Sequence, residues 1–267
     1  MIRIALYGAL GRMGLAITEA ALECADVVLA AAVERPGHPG LGLPVSAGDG
    51  MELTVTDDAA AAAAAADVLV SFAEPAASVS HAELGANASA GVVIGTTGLS
   101  AEEHTAVADA AERVPIVLAP NMSVGVNVLT WLAGRAASAF GPGYDVEIIE
   151  AHHRHKADAP SGTALRLAET IAGARGLDLA SSVVYGRRGR TGERAPGQIG
   201  IHAVRAGDLA GEHRVLFGGE GECFELVHRS SSRAAYARGT LDAVRFVHGR
   251  APGLYDMFDV LGLDGAS

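Results

Sequence analysis

With 267 residues, the chain is long enough for two modest domains at about 150 residues each. Apolar residues make up 49% and exclude a disordered chain, while 31 acidic against 20 basic side chains give a net charge of −11. That balance argues against a phosphate-backbone footprint, and 4% aromatics argue against a stacking platform for single strands, so no nucleic-acid partner is expected. Cys24 and Cys223 are too few and too far apart for a disulfide framework or a thiolate metal site. No apolar run approaches the roughly 18 residues of a membrane span, so no membrane partner is expected. The first residues run straight into a glycine turn without a signal-peptide cleavage region, and the expectation is a cytoplasmic protein.

Residues 2–7 predict a short buried strand, followed at once by Gly8-Ala-Leu-Gly-Arg-Met-Gly14 and an apolar helical pattern from Leu15 to about Cys24. A second strand is predicted over Val27 to Val33, ending at Glu34. The run Ala59–Ala66 lies between Asp58 and Asp67 and predicts a short helix whose N-terminal end the acid favours. Val68–Phe72, Val92–Ile94 and Ile116–Leu118 predict further strands with helices between them, the rhythm of a parallel sheet covered on both faces. The rhythm changes after Asn121. Val124–Phe140 predicts a long helix, Asp145–Glu150 a strand, and Ser161 to Ala174 a second helix beyond a polar loop. Ile199–Arg205, Glu212–Phe217 and Glu222–His228 read as strands joined by glycine turns, more like an antiparallel sheet. Arg187–Gly197 is polar and glycine-rich and predicts a mobile loop, and a short helical segment follows from about Ser232.

Two places carry chemistry. Gly8, Gly11 and Gly14 stand between a first strand and a first helix, where glycines let the backbone approach a pyrophosphate and the helix N-terminus offers N–H groups. The spacing departs from the usual G-x-G-x-x-G, and by itself it is compatible with any tight turn. Glu34, 20 residues beyond Gly14, stands where an acid binds adenosine ribose hydroxyls, and the combination favours a dinucleotide. Arg35 beside it reads either as a solvated loop cation or as a partner for the 2′-phosphate of NADPH. Gly95-Thr-Thr-Gly98 and Ala119-Pro-Asn-Met122 follow later strands and open onto the same crevice, as walls for the nicotinamide half or simply as turns.

The second place is Glu150-Ala-His-His-Arg-His-Lys-Ala-Asp-Ala-Pro-Ser-Gly-Thr163. Its clustered cations would repel one another unless they serve an anion, and Ser161-Gly162-Thr163 opens a helix suited to carboxylate oxygens. Zinc is a weak alternative: adjacent histidines on an extended segment point to opposite sides, and Arg154 and Lys156 repel a cation, so no metal is expected. His155 reads as a loop residue.

Together these segments closely resemble the dihydrodipicolinate (4-hydroxy-tetrahydrodipicolinate) reductase family. The resemblance continues through Gly95–Gly98, Asn121-Met-Ser-Val-Gly125, Arg205-Ala-Gly-Asp208 and Gly253-Leu-Tyr-Asp-Met257, so it covers essentially the whole chain. It implies an α/β protein with a Rossmann-like dinucleotide-binding domain (1–123 plus 233–267) and a second α+β domain with a mixed or antiparallel sheet (124–232) for substrate binding and tetramerisation. It implies NADH- or NADPH-dependent reduction of a cyclic imine dicarboxylate on the diaminopimelate route to lysine, by a cytoplasmic homotetramer. By position, His152 and Lys156 correspond to the catalytic pair, and His153, Gly162 and Thr163 to the substrate dicarboxylate site. Gly8, Ala9, Leu10, Gly11, Arg12, Met13, Glu34, Arg35, Gly95, Thr96, Thr97, Ala119, Pro120, Asn121 and Met122 correspond to cofactor contacts. Pro120 and Met122 depart from the alanine and phenylalanine frequent in the family, which bears on nicotinamide packing more than on chemistry. His152 either positions the acid or relays the proton. Rival readings are a semialdehyde or aspartate dehydrogenase of similar architecture and a catalytically silent dinucleotide sensor; neither needs the His-His-Arg-His-Lys segment before Ser-Gly-Thr.

Overall fold

In the computed structural model, which describes residues 1–48 and 50–263, the apolar run Ile2–Tyr7 forms the first strand, β1. It is followed by α1 (Arg12–Leu22), β2 (Val27–Val33), a hairpin of β3 (Pro44–Gly48) and β4 (Met51–Thr54), and α2 (Ala59–Ala64). Then come β5 (Val68–Ser71), α3 (Pro75–Ala88), β6 (Gly91–Ile94), α4 (Ala101–Ala111) and β7 (Pro115–Leu118). The next elements are α5 (Val124–Phe140), β8 (Asp145–His152), α6 (Gly162–Ala174), α7 (Leu179–Ser182), β9 (Val183–Tyr185), β10 (Ile199–Arg205), β11 (Gly211–Gly219) and β12 (Glu222–Ser230). The chain ends its described course with α8 (Ala234–Val247), β13 (Gly253–Tyr255) and α9 (Met257–Leu261). Two compact units result: Met1–Val124 with Arg233–Gly262, and Gly125–Ser232. No helix among the described residues is long and apolar enough to cross a membrane.

The first unit is built on a parallel six-stranded sheet in the order β13-β7-β6-β5-β1-β2. Its strands are near-continuous apolar runs because helices cover both faces. Alternation then sorts side chains between two cores. Ile4, Leu6, Val68, Val70, Val93 and Val117 pack with residues of α1 and α8, while Ala5, Tyr7, Leu69, Val92, Ile94 and Ile116 pack with residues of α2, α3 and α4. The chain leaves β1 for β2 on one side and then continues through β5, β6 and β7 on the other. The switch point therefore lies between β1 and β5, where ligands of such sheets bind beyond the carboxyl ends of the strands. The α2 helix starts as the sequence predicts, with Asp58 accepting from the Ala61 N–H at 2.9 Å.

The second unit has a five-stranded mixed sheet in the order β12-β11-β8-β10-β9. Here the antiparallel expectation needs correction. β12, β11 and β8 are antiparallel neighbours, but β10 runs parallel to both β8 and β9. Chain order does not set the neighbours: β8 separates β10 from β11, although those two strands follow each other in sequence. One face of the sheet presents Val146, Ile148, Val215 and Phe217 to Leu129, Ala133 and Leu167 of α5 and α6. The 187–197 loop, predicted mobile, is anchored near its two ends by Arg187 and Arg194. Arg187 makes two hydrogen bonds to Glu147 at 3.1 and 2.8 Å, and Arg194 bonds Glu147 at 3.2 Å and Asp145 at 2.7 Å.

Candidate active site

At the end of β1 the backbone turns through Gly8, whose φ of +80° is open mainly to glycine. The Gly8 N–H donates to the Val33 carbonyl at 2.9 Å, and its carbonyl accepts from Gly11 at 3.0 Å. Helix α1 starts at Arg12 with Gly11 as its cap and no side chain bonded to its first turn. It begins three residues earlier than the apolar pattern suggests. A Cβ at Gly14 would overlap the carbonyl oxygens of Gly8 and Ala9, so only glycine lets the helix sit this close to the turn. Backbone N–H groups at an uncapped helix end, with no side chain in the way, fit a dinucleotide pyrophosphate. NADH or NADPH, the cofactor these residues fit, would be held by the 8–13 turn.

Glu34 takes a place that spacing alone did not specify. Its Oε1 accepts from the Leu10 N–H at 2.8 Å, so the acid braces the glycine turn as well as standing at the end of β2. Arg35 beside it is exposed. Gly95, Thr96 and Thr97 follow β6, and Ala119, Pro120, Asn121 and Met122 follow β7, at the same end of the sheet as Gly8. Thr97 and Pro120 are exposed. Ala9 and Met122 are core residues at 0% and 1% exposure, and Leu10 and Met13 pack against the same core. At Ala9 and Met122 only the backbone can reach a ligand.

The histidine-rich segment is organised by a residue to which the sequence reading gave no role. Glu150, near the end of β8, has 0% exposure, and three groups make four hydrogen bonds to its carboxylate. Arg205 of β10 approaches both oxygens at 2.8 Å, His152 Nδ1 lies 2.6 Å from Oε2, and the Ser161 N–H donates to Oε1 at 3.0 Å. Burial pushes this carboxyl up, but Arg205, His152 and the Ser161 N–H outweigh it and hold it below the usual range. One buried carboxylate thus joins the end of β8 to the start of α6. Ser161 caps that helix by accepting from the Ala164 N–H at 3.2 Å, and its hydroxyl meets His213 Nε2 at 3.1 Å.

His152 is almost buried, and burial pushes its pKa down against the pull of Glu150. His213, 3% exposed and edge-on to His152 at 5.2 Å between ring centroids, is pushed down to about 4 by burial. Lys156 pairs with Asp158 at 2.8 Å, with 21% of its side chain exposed. The charge repulsion inferred from the sequence is therefore partly met inside the chain: Asp158 faces Lys156, and Glu150 faces Arg205. His153 is half-buried, and its ring lies 6.3 Å from that of the exposed His155. A Cβ at Gly162 would meet no atom within 4 Å, so the space over the start of α6 is open beside Thr163. No group of three or more metal-ligating side chains gathers among the described residues.

Glu150, Arg205 and His213 join this cluster although the sequence pattern assigned them no role. Two signals were there: Glu150 opens the densest motif, and Arg205 opens Arg-Ala-Gly-Asp.

A parallel sheet with a ligand-ready switch point and a second unit with a buried acid–histidine–lysine turn define a dinucleotide-dependent oxidoreductase acting on a small molecule. Comparison with known proteins gives the particular one. Models of the dihydrodipicolinate reductase N-terminus and C-terminus match residues 2–122 and 125–261. A 4-hydroxy-tetrahydrodipicolinate reductase from Thiobacillus denitrificans is 53% identical over 98% of this chain and 99% of its own. One from Burkholderia multivorans is 52% identical over 98% and 99%. The solved structure of a dihydrodipicolinate reductase from Paenisporosarcina sp. TG-14, with dipicolinate bound, superposes with a TM-score of 0.78 at 28% identity, covering 97% of this chain and 98% of that one. The chain belongs to the dihydrodipicolinate reductase family, whose members use NADH or NADPH.

Proposed function

We propose that the turn after β8 is where this chain performs its family's reaction, with Lys156 as proton donor and His152 as the group that positions it. The reaction is the NAD(P)H-dependent reduction of 4-hydroxy-tetrahydrodipicolinate in lysine and diaminopimelate biosynthesis. NADH or NADPH, once bound by residues 8–13, 34–35, 95–97 and 119–122, supplies the hydride.

The observation that carries the assignment of roles is the His152–Glu150 bond. An ionised carboxylate can only accept, so the imidazole donates through Nδ1 and its Nε2 is left as an acceptor. Burial favours the neutral ring. Such a histidine has no second proton to give and is suited to orient an ammonium. Lys156 can give one. Its ammonium rests on Asp158 and exchanges that partner for the substrate nitrogen, where negative charge develops as hydride adds to the conjugated imine left when the 4-hydroxyl departs as water. The substrate carboxylates are received by His153 and by the start of α6 at Gly162 and Thr163, where the helix dipole and N–H groups favour an anion.

Loss of reduced-nicotinamide absorbance on supplying enzymatically generated cyclic imine tests the reaction. Pyridine-2,6-dicarboxylate, a planar non-reducible mimic, is expected to compete with the imine. Thr163→Val, which removes a hydroxyl at nearly constant volume, is expected to weaken that inhibitor about fivefold. Competition with the cofactor instead would remove the dicarboxylate from this turn.

The same reading makes the protein a cytoplasmic homotetramer. Support for association comes from the second sheet, where the face opposite α5 and α6 carries Ile149, Val204, Leu216 and Val227, with Val204 43% and Val227 39% exposed. Light scattering of the purified protein is expected to give four chains, and a monomer at micromolar concentration would contradict it.

A further inference from the structure

A chain of buried polar side chains in the first unit starts at Thr96 of the cofactor loop and runs on through residues that none of the steps above uses. Thr96 Oγ1 donates to the Ala73 carbonyl at 3.0 Å and lies 2.6 Å from Ser78 Oγ. Ser78 Oγ lies 3.3 Å from Ser71 Oγ, which lies 2.8 Å from His81 Nδ1. Ser71 and Ser78 are 0% exposed and Thr96 is 7% exposed. The His81 ring rests against Tyr7 at 4.1 Å between centroids, and the Tyr7 hydroxyl donates to the Ala59 carbonyl at 2.8 Å. Ser71 ends β5, Thr96 follows β6 and Tyr7 ends β1, so the chain ties together the carboxyl ends of three adjacent strands.

Its direction is fixed from one end. A carbonyl can only accept, so the single hydroxyl proton of Thr96 is committed to Ala73, and Thr96 accepts from Ser78. Ser78 has then spent its proton and accepts from Ser71. Ser71 in turn accepts from His81, which must carry its proton on Nδ1. Neutrality is consistent with this, since burial pushes His81 down to about 4. The far end of the chain is Ala73, beside Phe72, whose ring fills the place a Cβ at Gly95 would take.

We infer that Ser71, Ser78 and an Nδ1-protonated His81 are positioning residues for the dinucleotide, fixing Thr96 within the 95–97 loop and the Phe72–Ala73 segment between that loop and the Gly8 turn. This rests on the assignment of those loops to NAD(P)H, but the tautomer does not.

Two measurements on the full chain test the inference. Ring 15N chemical shifts of His81, assigned by its loss in His81→Leu, are expected to report a neutral Nδ1–H tautomer at about pH 7. The Nε2–H tautomer or a charged ring would overturn the inference whatever the protein binds. Titration with NADH should then give a dissociation constant raised about fivefold in His81→Leu and in Ser78→Ala, one buried hydrogen bond's worth, with kcat at saturation within about twofold. His81→Asn, which restores a donor near the Nδ1 position, should recover most of the binding. Ser78→Ala deletes one oxygen and keeps the ring, so it serves if the histidine variants melt early. Unchanged binding in Ser78→Ala, or an asparagine variant no better than leucine, would reduce the chain to core packing and overturn the positioning role. A wild-type protein that binds neither NADH nor NADPH would instead overturn the cofactor assignment and leave the tautomer as the test of the chain.

Discussion

The glycine turn of the first unit and the histidine turn of the second prepare for ligands in opposite ways. At Gly8–Gly14 the backbone is brought forward and side chains are kept out, so what faces a ligand is N–H groups and a helix end. At Glu150–Thr163 an imidazole, a helix-start N–H and the Arg205 guanidinium are gathered around one carboxylate with no exposure. The first arrangement is broken by adding a methyl group, the second by removing a proton or a charge. On the proposed assignment the first unit binds the cofactor and the second binds and protonates the substrate, so their variants should fail differently.

The largest effect is expected where a proton is moved. Lys156→Ala should lower kcat by about 10²–10⁴, the usual scale for a lost general acid, while the NADH dissociation constant stays near wild type. Turnover within a few-fold of wild type would remove Lys156 from the role. Gly14→Ala should do the reverse. Its methyl has to displace the Gly8 and Ala9 carbonyls, an overpacking cost of about 1–3 kcal/mol, read as a lowered melting temperature and weaker NADH binding in a calorimeter.

Acid acts on both regions, since His81 of the first unit and His213 of the second are both buried and both pushed down, and a variant of His213 isolates the second. His213 is held at about 4, below its unfolded value of about 6.5, so between those pH values the unfolded chain binds more protons than the folded one. Its contribution to stability is therefore full above about pH 6.5 and is lost as the pH falls towards 4, by up to about 1.4 kcal/mol per pH unit. His213→Gln retains a donor for Ser161 and should flatten the fall in melting temperature over this range. An equally steep fall would assign the acid sensitivity elsewhere. The smallest effects belong to the exposed end of the glycine turn. Glu34→Ala should weaken NADH more than NADPH and Arg35→Ala the reverse, each by about 1 kcal/mol. Equal effects on both cofactors would show that this pair does not read the 2′ position.

What could be read from sequence follows the same division. Strands 2–7 and 27–33 and helix 124–140 were legible to the residue, because an uninterrupted apolar run or a sustained helical period is a local signal. Gly8 and Gly14 were legible because a tight turn needs glycine at fixed spacing. The hairpin β3–β4 was missed in a stretch with no clear alternation, and β13 was missed because three residues after Pro252 are too few to show a period. The parallel course of β10 depends on which strand it lies beside, and no local pattern encodes that. At the site, the histidines and Lys156 stood out by clustering, but Arg205 reaches Glu150 across 55 positions and His213 reaches Ser161 across 52. The buried carboxylate therefore looked like the last residue of a strand.

The central claim is that Glu150 holds His152 and the start of α6 as one piece, apart from dinucleotide binding. Glu150→Gln, checked for folding by its melting curve, tests this when kcat, the KM for the cyclic imine and the NADH dissociation constant are measured side by side. kcat is expected to fall and the imine KM to rise, each by about tenfold or more, because one substitution loosens both the histidine and the carboxylate-binding helix end, while NADH binding stays within about twofold. A variant that loses NADH affinity to the same degree, or changes only one of the two substrate parameters, would contradict it.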